Sequence, residues 1–107
     1  SLKIKYSPDA REQLKQIKRI AGDRSTGKIL KAINRLADNP WMCPTIEKML
    51  GVPSPYHFLH VEQNYVFYRV NKENVFVTAI YNEREDFMWK MFGIRLRTQE
   101  SRDYWGE

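Results

Sequence analysis

The chain has 107 residues, 42% apolar and 29% charged, and a formal net charge of +5. This composition excludes wholesale disorder and leaves room for one domain with a modest core. No apolar run is long enough to span a bilayer, the N-terminus lacks the apolar core of a secretory signal, and Cys43 has no second cysteine, so we expect a cytoplasmic protein without a disulfide or a metal cluster.

The charge is unevenly spread. Residues 1–50 hold eleven Lys/Arg against five Asp/Glu, whereas residues 51–107 hold seven against eight. The basic half should attract something anionic: nucleic acid, an acidic protein or a membrane surface.

Leu2, Ile4 and Tyr6 alternate with Lys3 and Lys5, the pattern of a half-buried strand. Ser7-Pro8-Asp9 then predicts a helix start, with Ser at the N-cap, Pro at the first helical position and an acid in the first turn. The first helix is predicted over residues 8–21. Ala10, Leu14, Ile17 and Ala21 form its apolar stripe, and Gly22 ends it. A polar link over residues 23–27 should lead into a second helix over 28–38, with Ile29, Ala32, Ile33, Leu36 and Ala37 inside. Asn39-Pro40 stops that helix. So short a link predicts an antiparallel helix hairpin.

Residues 41–55 are irregular, punctuated by Pro44, Gly51, Pro53 and Pro55, with a possible helical turn over 46–50. Three alternating runs follow at 56–61, 65–70 and 75–81, separated by turns at Gln63-Asn64 and at residues 71–74. Such short turns predict an antiparallel meander. Phe87, Trp89, Met91 and Phe92 suggest a short last helix, and residues 95–107 a polar tail beyond a domain spanning 1–94. The predicted architecture is α+β, in the order β-α-α-β-β-β(-α). A two-helix hairpin packs on one face of a mainly antiparallel, twisted sheet, and the other face is open.

Several pieces, in this order, resemble the RelE/ParE toxins of bacterial type II toxin–antitoxin systems. They are the opening strand with Tyr6-Ser7-Pro8-Asp9-Ala10, a second helix closing on Asn39-Pro40, and Lys48-Met49-Leu50-Gly51 before a Tyr-led strand. Tyr65 and Tyr68-Arg69-Val70 continue the pattern, and a last strand runs into Asn82-Glu83-Arg84-Glu85. The resemblance covers residues 2–92. It implies the fold just derived, a neutralising antitoxin that wraps the toxin, and no metal or organic cofactor. In the RelE-like branch it implies cleavage of messenger RNA, commonly on the ribosome. In the ParE-like branch it implies poisoning of DNA gyrase. A third reading is an inactive relative that only binds its antitoxin. No membrane partner and no small-molecule substrate is expected.

Metal-free RNA cleavage needs a base for the ribose 2′-OH, a cation for the phosphorane and an acid for the leaving 5′-oxygen. Arg suits the middle role, because its fork matches phosphate and stays charged. The resemblance puts an active-site arginine at Arg84; the plain alternative is a surface arginine paired with Glu83 or Glu85. His57 and His60, the two histidines, lie on the first meander strand, where RelE-like toxins carry basic or acid–base residues. Alternation points them to opposite faces, and His57 is expected on the open one. Arg69, Tyr65 and Phe67 share the face expected to be open, where phosphate binds and bases stack. Glu47, Glu83 and Glu85 are candidate bases, and Lys48 lies where related toxins carry a charged group. Trp89 or Phe87 stands where those toxins often have a tyrosine, which leaves a stacking role for RNA. The expected catalytic set is Arg84, His57, His60, Arg69, Glu83 and Glu85. The expected RNA contacts are Lys48, Tyr65, Phe67 and Trp89.

Overall fold

The structure is a computed structural model that describes residues 1–51 and 53–93. Strand β1, Lys3–Tyr6, ends at Ser7. The Ser7 hydroxyl accepts from Ala10 N–H at 2.9 Å and donates to Thr78 O at 2.6 Å, so one side chain caps the helix and ties it to the sheet. Helix α1, Pro8–Asn34, then runs in two segments that meet at Gly22. A single-turn 3-10 helix, Arg35–Ala37, closes the second segment.

The polar link expected over residues 23–27 is itself helical. Gly22 alone makes the break, at φ 87° and ψ 178°, a region that only glycine enters readily. The Thr26 hydroxyl donates to Gly22 O at 2.9 Å and anchors the first turn of the second segment. That segment starts beside the Glu62 carboxylate, which accepts from the Ser25 hydroxyl. It finishes where Ala37 O accepts from Leu2 N–H. The two segments therefore run out and back along the sheet as a hairpin.

Helix α2, Ile46–Leu50, precedes the meander of β2 (His57–Val61), β3 (Asn64–Val70) and β4 (Asn74–Asn82). The sheet order is β1-β4-β3-β2, with β1 parallel to β4 and the other pairs antiparallel. The first hairpin turns on Glu62 and Gln63, one position earlier than expected. Both have positive φ, 48° and 63°, as a two-residue turn of matching twist requires. A bulge lies opposite the Phe67–Tyr68 step, where Tyr68 pairs with Val77, Phe67 with Ala79, and Thr78 is extra. Helix α3, Phe87–Phe92, follows the last strand.

Val66, Tyr68, Val75, Val77 and Ile80 meet Ala10, Ile29, Ile33 and Leu36 in one buried cluster. This is the helix-covered face, and Leu2, Ile4, Tyr6, Leu14 and Ile17 pack around it. The opposite face is not fully open, contrary to the sequence-based expectation. Phe67 is 0% exposed, and Phe87 of α3 brings its ring centroid to 5.5 Å from that of Phe67 and 5.0 Å from that of Tyr65. Burying another aromatic group there explains why a short C-terminal helix folds back across the sheet. No helix among the described residues is long and apolar enough to cross a membrane. The tail predicted over 95–107 lies outside the described residues.

Candidate active site

The end of β4 is unusually well fixed. Asn82 N–H donates to Glu85 Oε2 at 2.7 Å, and Glu85 N–H donates back to Asn82 O at 2.9 Å. Asn82 Oδ1 accepts from Arg84 N–H at 3.0 Å, an Asx turn of the kind asparagine favours. Glu83 N–H reaches across to Gln63 O at 2.9 Å. The Asp86 carboxylate then caps α3 by accepting from Trp89 N–H at 3.1 Å. These bonds use backbone groups, two acids and the Asn82 amide, and they leave the Arg84 side chain exposed at the corner.

Both glutamates flanking Arg84 have other partners. Glu83 Oε2 lies 2.8 Å from His60 Nε2. Glu85 Oε1 accepts from Lys90 Nζ at 2.6 Å, and that bond holds the lysine pKa above its ordinary value. The Arg84 guanidinium has no ion pair among the described residues. The plain alternative, an arginine neutralised by its neighbours, is not what the geometry shows.

His60 lies on β2 opposite Tyr65 of β3, which in turn pairs with Tyr81 of β4. Its ring tilts over Tyr65 with centroids 4.8 Å apart. A glutamate carboxylate only accepts hydrogen bonds, so Nε2 is the donor and Nδ1 carries the lone pair when the imidazole is neutral. The arrangement is an oriented imidazole, a carboxylate behind it and an uncompensated guanidinium one residue from that carboxylate. The imidazole can take a proton, and the guanidinium, next in sequence to its carboxylate, is a cation that can stabilise an anion.

Tyr65 is half-buried among Phe58, His60, Phe67 and Phe87. Tyr81 lies beside the same corner. Burial pushes its phenol above its ordinary pKa, nearby Lys90 opposes that rise, and the Asp9 and Glu85 carboxylates reinforce it.

Other expected site residues lie elsewhere. His57 is 7% exposed and on the helix-covered face. Its Nδ1–H donates to Cys43 O at 2.9 Å, its ring stacks on Tyr68 at 5.2 Å, and Trp41 meets it edge-on at 5.4 Å. Pairing with Tyr68, a core residue, turns His57 inward, so it is a satisfied core histidine rather than a neighbour of Arg84. Phe67 is buried under α3 and presents no ring to a base. Arg69 is exposed but pairs with Phe76, five positions along β3 from the Asn64–Asn82 pair. At about 3.4 Å per residue, it stands about 17 Å from the Arg84 corner, so the two arginines do not converge. Lys48 and Glu47 are exposed on α2, which begins where Ile46 N–H donates to Tyr56 O, at the Arg69 end of the sheet. Trp89 is 43% exposed on α3.

The structure adds Asn82, Tyr81 and Lys90, none of them expected in the site; Asn82 had entered only as part of the run that carries the resemblance. An asparagine ending a strand before Glu-Arg-Glu is a recognisable turn signal for the first. The lysine five positions beyond Glu85 had no such signal. A cleft of about 820 Å³ opens on the helix side of the same corner, lined by Gln13, Ile17, Ile20, Asn82, Glu85 and Lys90 among others. His60 and Arg84 are not part of it. Among the described residues, no group of three or more His, Cys, Asp and Glu is placed to hold a metal ion.

Comparison with known proteins adds a family. The model described as "ParE toxin of type II toxin-antitoxin system, parDE" matches residues 4–87. No curated protein matches the chain. Among solved structures, the toxin in a crystal structure of the E. coli DinJ-YafQ toxin-antitoxin complex is similar at 19% identity, covering 86% of this chain and 98% of that one with a TM-score of 0.59. A second crystal structure of the E. coli DinJ-YafQ complex gives 18% identity, 87% and 100% coverage and a TM-score of 0.59. A point mutant of E. coli YafQ gives 18%, 78% and 94%, and 0.57. At such identities the likeness is one of fold.

Proposed function

Because the chain belongs to the ParE toxin family of type II toxin–antitoxin systems, we propose that it is a toxin acting as a metal-independent endoribonuclease on messenger RNA, held in check by a cognate antitoxin. One observation carries the catalytic part: the His60–Glu83 pair at 2.8 Å, with the unpaired Arg84 next in sequence. His60 Nδ1 takes the proton from a ribose 2′-OH. The 2′-oxygen attacks the adjacent phosphorus, and Arg84 stabilises the charge that builds on the phosphorane oxygens. Glu83 keeps Nε2–H engaged and stabilises the imidazolium as it forms. The P–O5′ bond then breaks, leaving a 2′,3′-cyclic phosphate and a 5′-hydroxyl. The 5′-oxygen takes its proton from a water molecule, and the hydroxide left behind takes the proton back from the His60 imidazolium. The antitoxin part draws support from the two similar structures described as DinJ-YafQ complexes, in which the toxin is bound to its partner.

The family match by itself favours a second reading, inhibition of DNA gyrase, as in the ParE-like branch. One experiment separates the two. The protein is induced in bacteria, transcript ends are mapped with and without translation, and DNA-damage signalling is followed in parallel. Cut transcripts with 5′-hydroxyl ends support the ribonuclease. Growth arrest with intact transcripts and a damage response sinks it and supports the gyrase reading. Loss of neither growth nor RNA points to an inactive antitoxin-binding relative.

A further inference from the structure

The end of the sheet away from Arg84 carries a pattern that the cleavage centre does not use. Register sets one residue from each strand in a row: Lys5 of β1 opposite Phe76 of β4, and Phe76 opposite Arg69 of β3. Tyr56, just before β2, completes the row. The Arg69 guanidinium carbon lies 5.6 Å from the Tyr56 ring centroid and 5.6 Å from that of Phe76. All of this lies on the face away from the helices, since the neighbours of these residues, Ile4, Tyr6, Tyr68, Val70, Val75 and Val77, belong to or pack on the core. Lys5 and Arg69 are exposed, and so are Lys3 and Lys72 beside them. Glu73, in the β3–β4 turn, lines the same shallow hollow as Lys3, Lys5 and Lys72.

The order across the sheet is therefore cation, ring, cation, ring. Adjacent strands lie about 4.8 Å apart, so the Lys5 and Arg69 backbones are about 10 Å apart with an aromatic side chain between them. The two rings hold the guanidinium within the range of cation–π attraction and limit its rotation. An arginine fixed in this way offers its N–H edge to a phosphate and its plane to an unstacked base. A strongly acidic peptide would need only the point charges. The interleaved rings favour a ligand that is both anionic and planar, which is the pattern of a single-stranded nucleic-acid surface.

We infer that the row Lys5–Phe76–Arg69–Tyr56, with Lys3 alongside, is a separate binding surface for single-stranded RNA. It lies along the sheet from the His60–Glu83–Arg84 centre and grips the substrate beyond the cut. The identity of the ligand as RNA rests on the ribonuclease reading above; the surface itself rests on charge and register.

The test uses a fluorescein-labelled 12-nucleotide 2′-O-methyl RNA, which lacks the attacking hydroxyl and is not cut. Its affinity for the wild type, Lys5→Gln, Arg69→Gln and Arg69→Lys is measured by anisotropy over a salt series. Expected is about a fivefold or greater loss for Lys5→Gln and for Arg69→Gln, with the salt slope reduced by about 0.7 in each. Arg69→Lys keeps the slope and loses part of the affinity, because an ammonium does not stack. Lys5 is exposed and makes no ring contact, so a loss on Lys5→Gln is not a folding defect. The inference is overturned if both glutamine variants bind as tightly as the wild type with unchanged slopes. It is also overturned if a poly-glutamate peptide binds the wild type more tightly than the RNA does, which would assign the surface to an acidic protein. Cleavage of ordinary RNA is followed alongside. Binding that depends on Lys5 and Arg69 without any cleavage keeps this inference and rejects the ribonuclease; cleavage with binding indifferent to both residues does the reverse.

Discussion

His60 of β2 and Glu83, just past the end of β4, form a 2.8 Å hydrogen bond although β3 lies between those strands. His60 crosses the Tyr65 ring to reach an acid held by the backbone bond from Glu83 N–H to Gln63 O. The first prediction concerns this pair. His60→Ala and Arg84→Ala should each slow RNA cleavage by about 10²- to 10⁴-fold, with far-UV circular dichroism unchanged. Glu83→Gln keeps a hydrogen-bonding group but removes the charge, and it should cost less than either. Combined with His60→Ala it should add almost nothing. Additive losses in that double variant would show that the two residues do not act as a unit.

His57 should behave in the opposite way. His57→Ala removes a buried ring stacked on Tyr68 and leaves Cys43 O without its donor. A loss of about 2–4 kcal/mol in denaturant stability is expected, with cleavage per folded molecule close to the wild type. A large drop in rate at full stability would return His57 to the catalytic set.

Gly22 joins the two segments of α1 at φ 87° and ψ 178°. A methyl group there meets nothing within 4 Å, so the cost of Gly22→Ala is conformational rather than steric crowding. A destabilisation of about 1–3 kcal/mol is expected from urea unfolding. Gly27→Ala, inside a helical turn with the same open space, should be neutral or stabilising by comparison. Equal effects at the two glycines would mean that the break at Gly22 is not required.

The stability of the fold should fall in alkali. Burial raises the phenol pKa of Tyr68 well above its ordinary 10.0, and the neighbouring Cys43 adds to this; burial also raises Tyr6 and Tyr81. The folded state thus holds these protons more tightly than the unfolded chain. The stabilisation is complete below about pH 10 and is lost as pH rises beyond it. Unfolding followed by circular dichroism should coincide with the rise of tyrosinate absorbance. Tyr68→Phe, which gives up the hydrogen bond to Pro40 O, should be about 1 kcal/mol less stable at neutral pH yet unfold at higher pH in alkali. An alkaline midpoint that does not move in Tyr68→Phe would assign the effect to other groups.

Much of the architecture was legible because its signals are local. Ser7-Pro8-Asp9 starts a helix where expected, Gly22 breaks it, and strict alternation gives β1 and the meander. The length of the break was misjudged, since residues 23–27 look like a polar loop only until Thr26 is seen bonding back to Gly22 O. The candidate site was harder to read. Alternation said that His57 and His60 point apart, but it is His60, not the expected His57, that points out. That depended on His57 pairing with Tyr68, a contact eleven residues away in sequence. Tyr65 and Phe67 do share a face, but the return of α3 over it buries Phe67, and nothing in the spacing announces that fold-back. Arg69 and Arg84 both sit on meander strands or their ends; their separation comes from the antiparallel register, which no motif encodes.

The bulge at Thr78 divides β4 into two halves of opposite parity. Odd-numbered Val75 and Val77 point to the core before it, and even-numbered Ile80 does so after it. One surplus residue thus decides that Tyr81 lies on the Tyr65 side. The side of the sheet on which the Asn82–Glu85 corner leaves the strand depends on that count as well as on the bonds made at the corner. A chain shortened by that one residue would leave His60 where it is on β2 and turn Tyr81 and the residues that follow it toward the helices, parting Glu83 from its histidine.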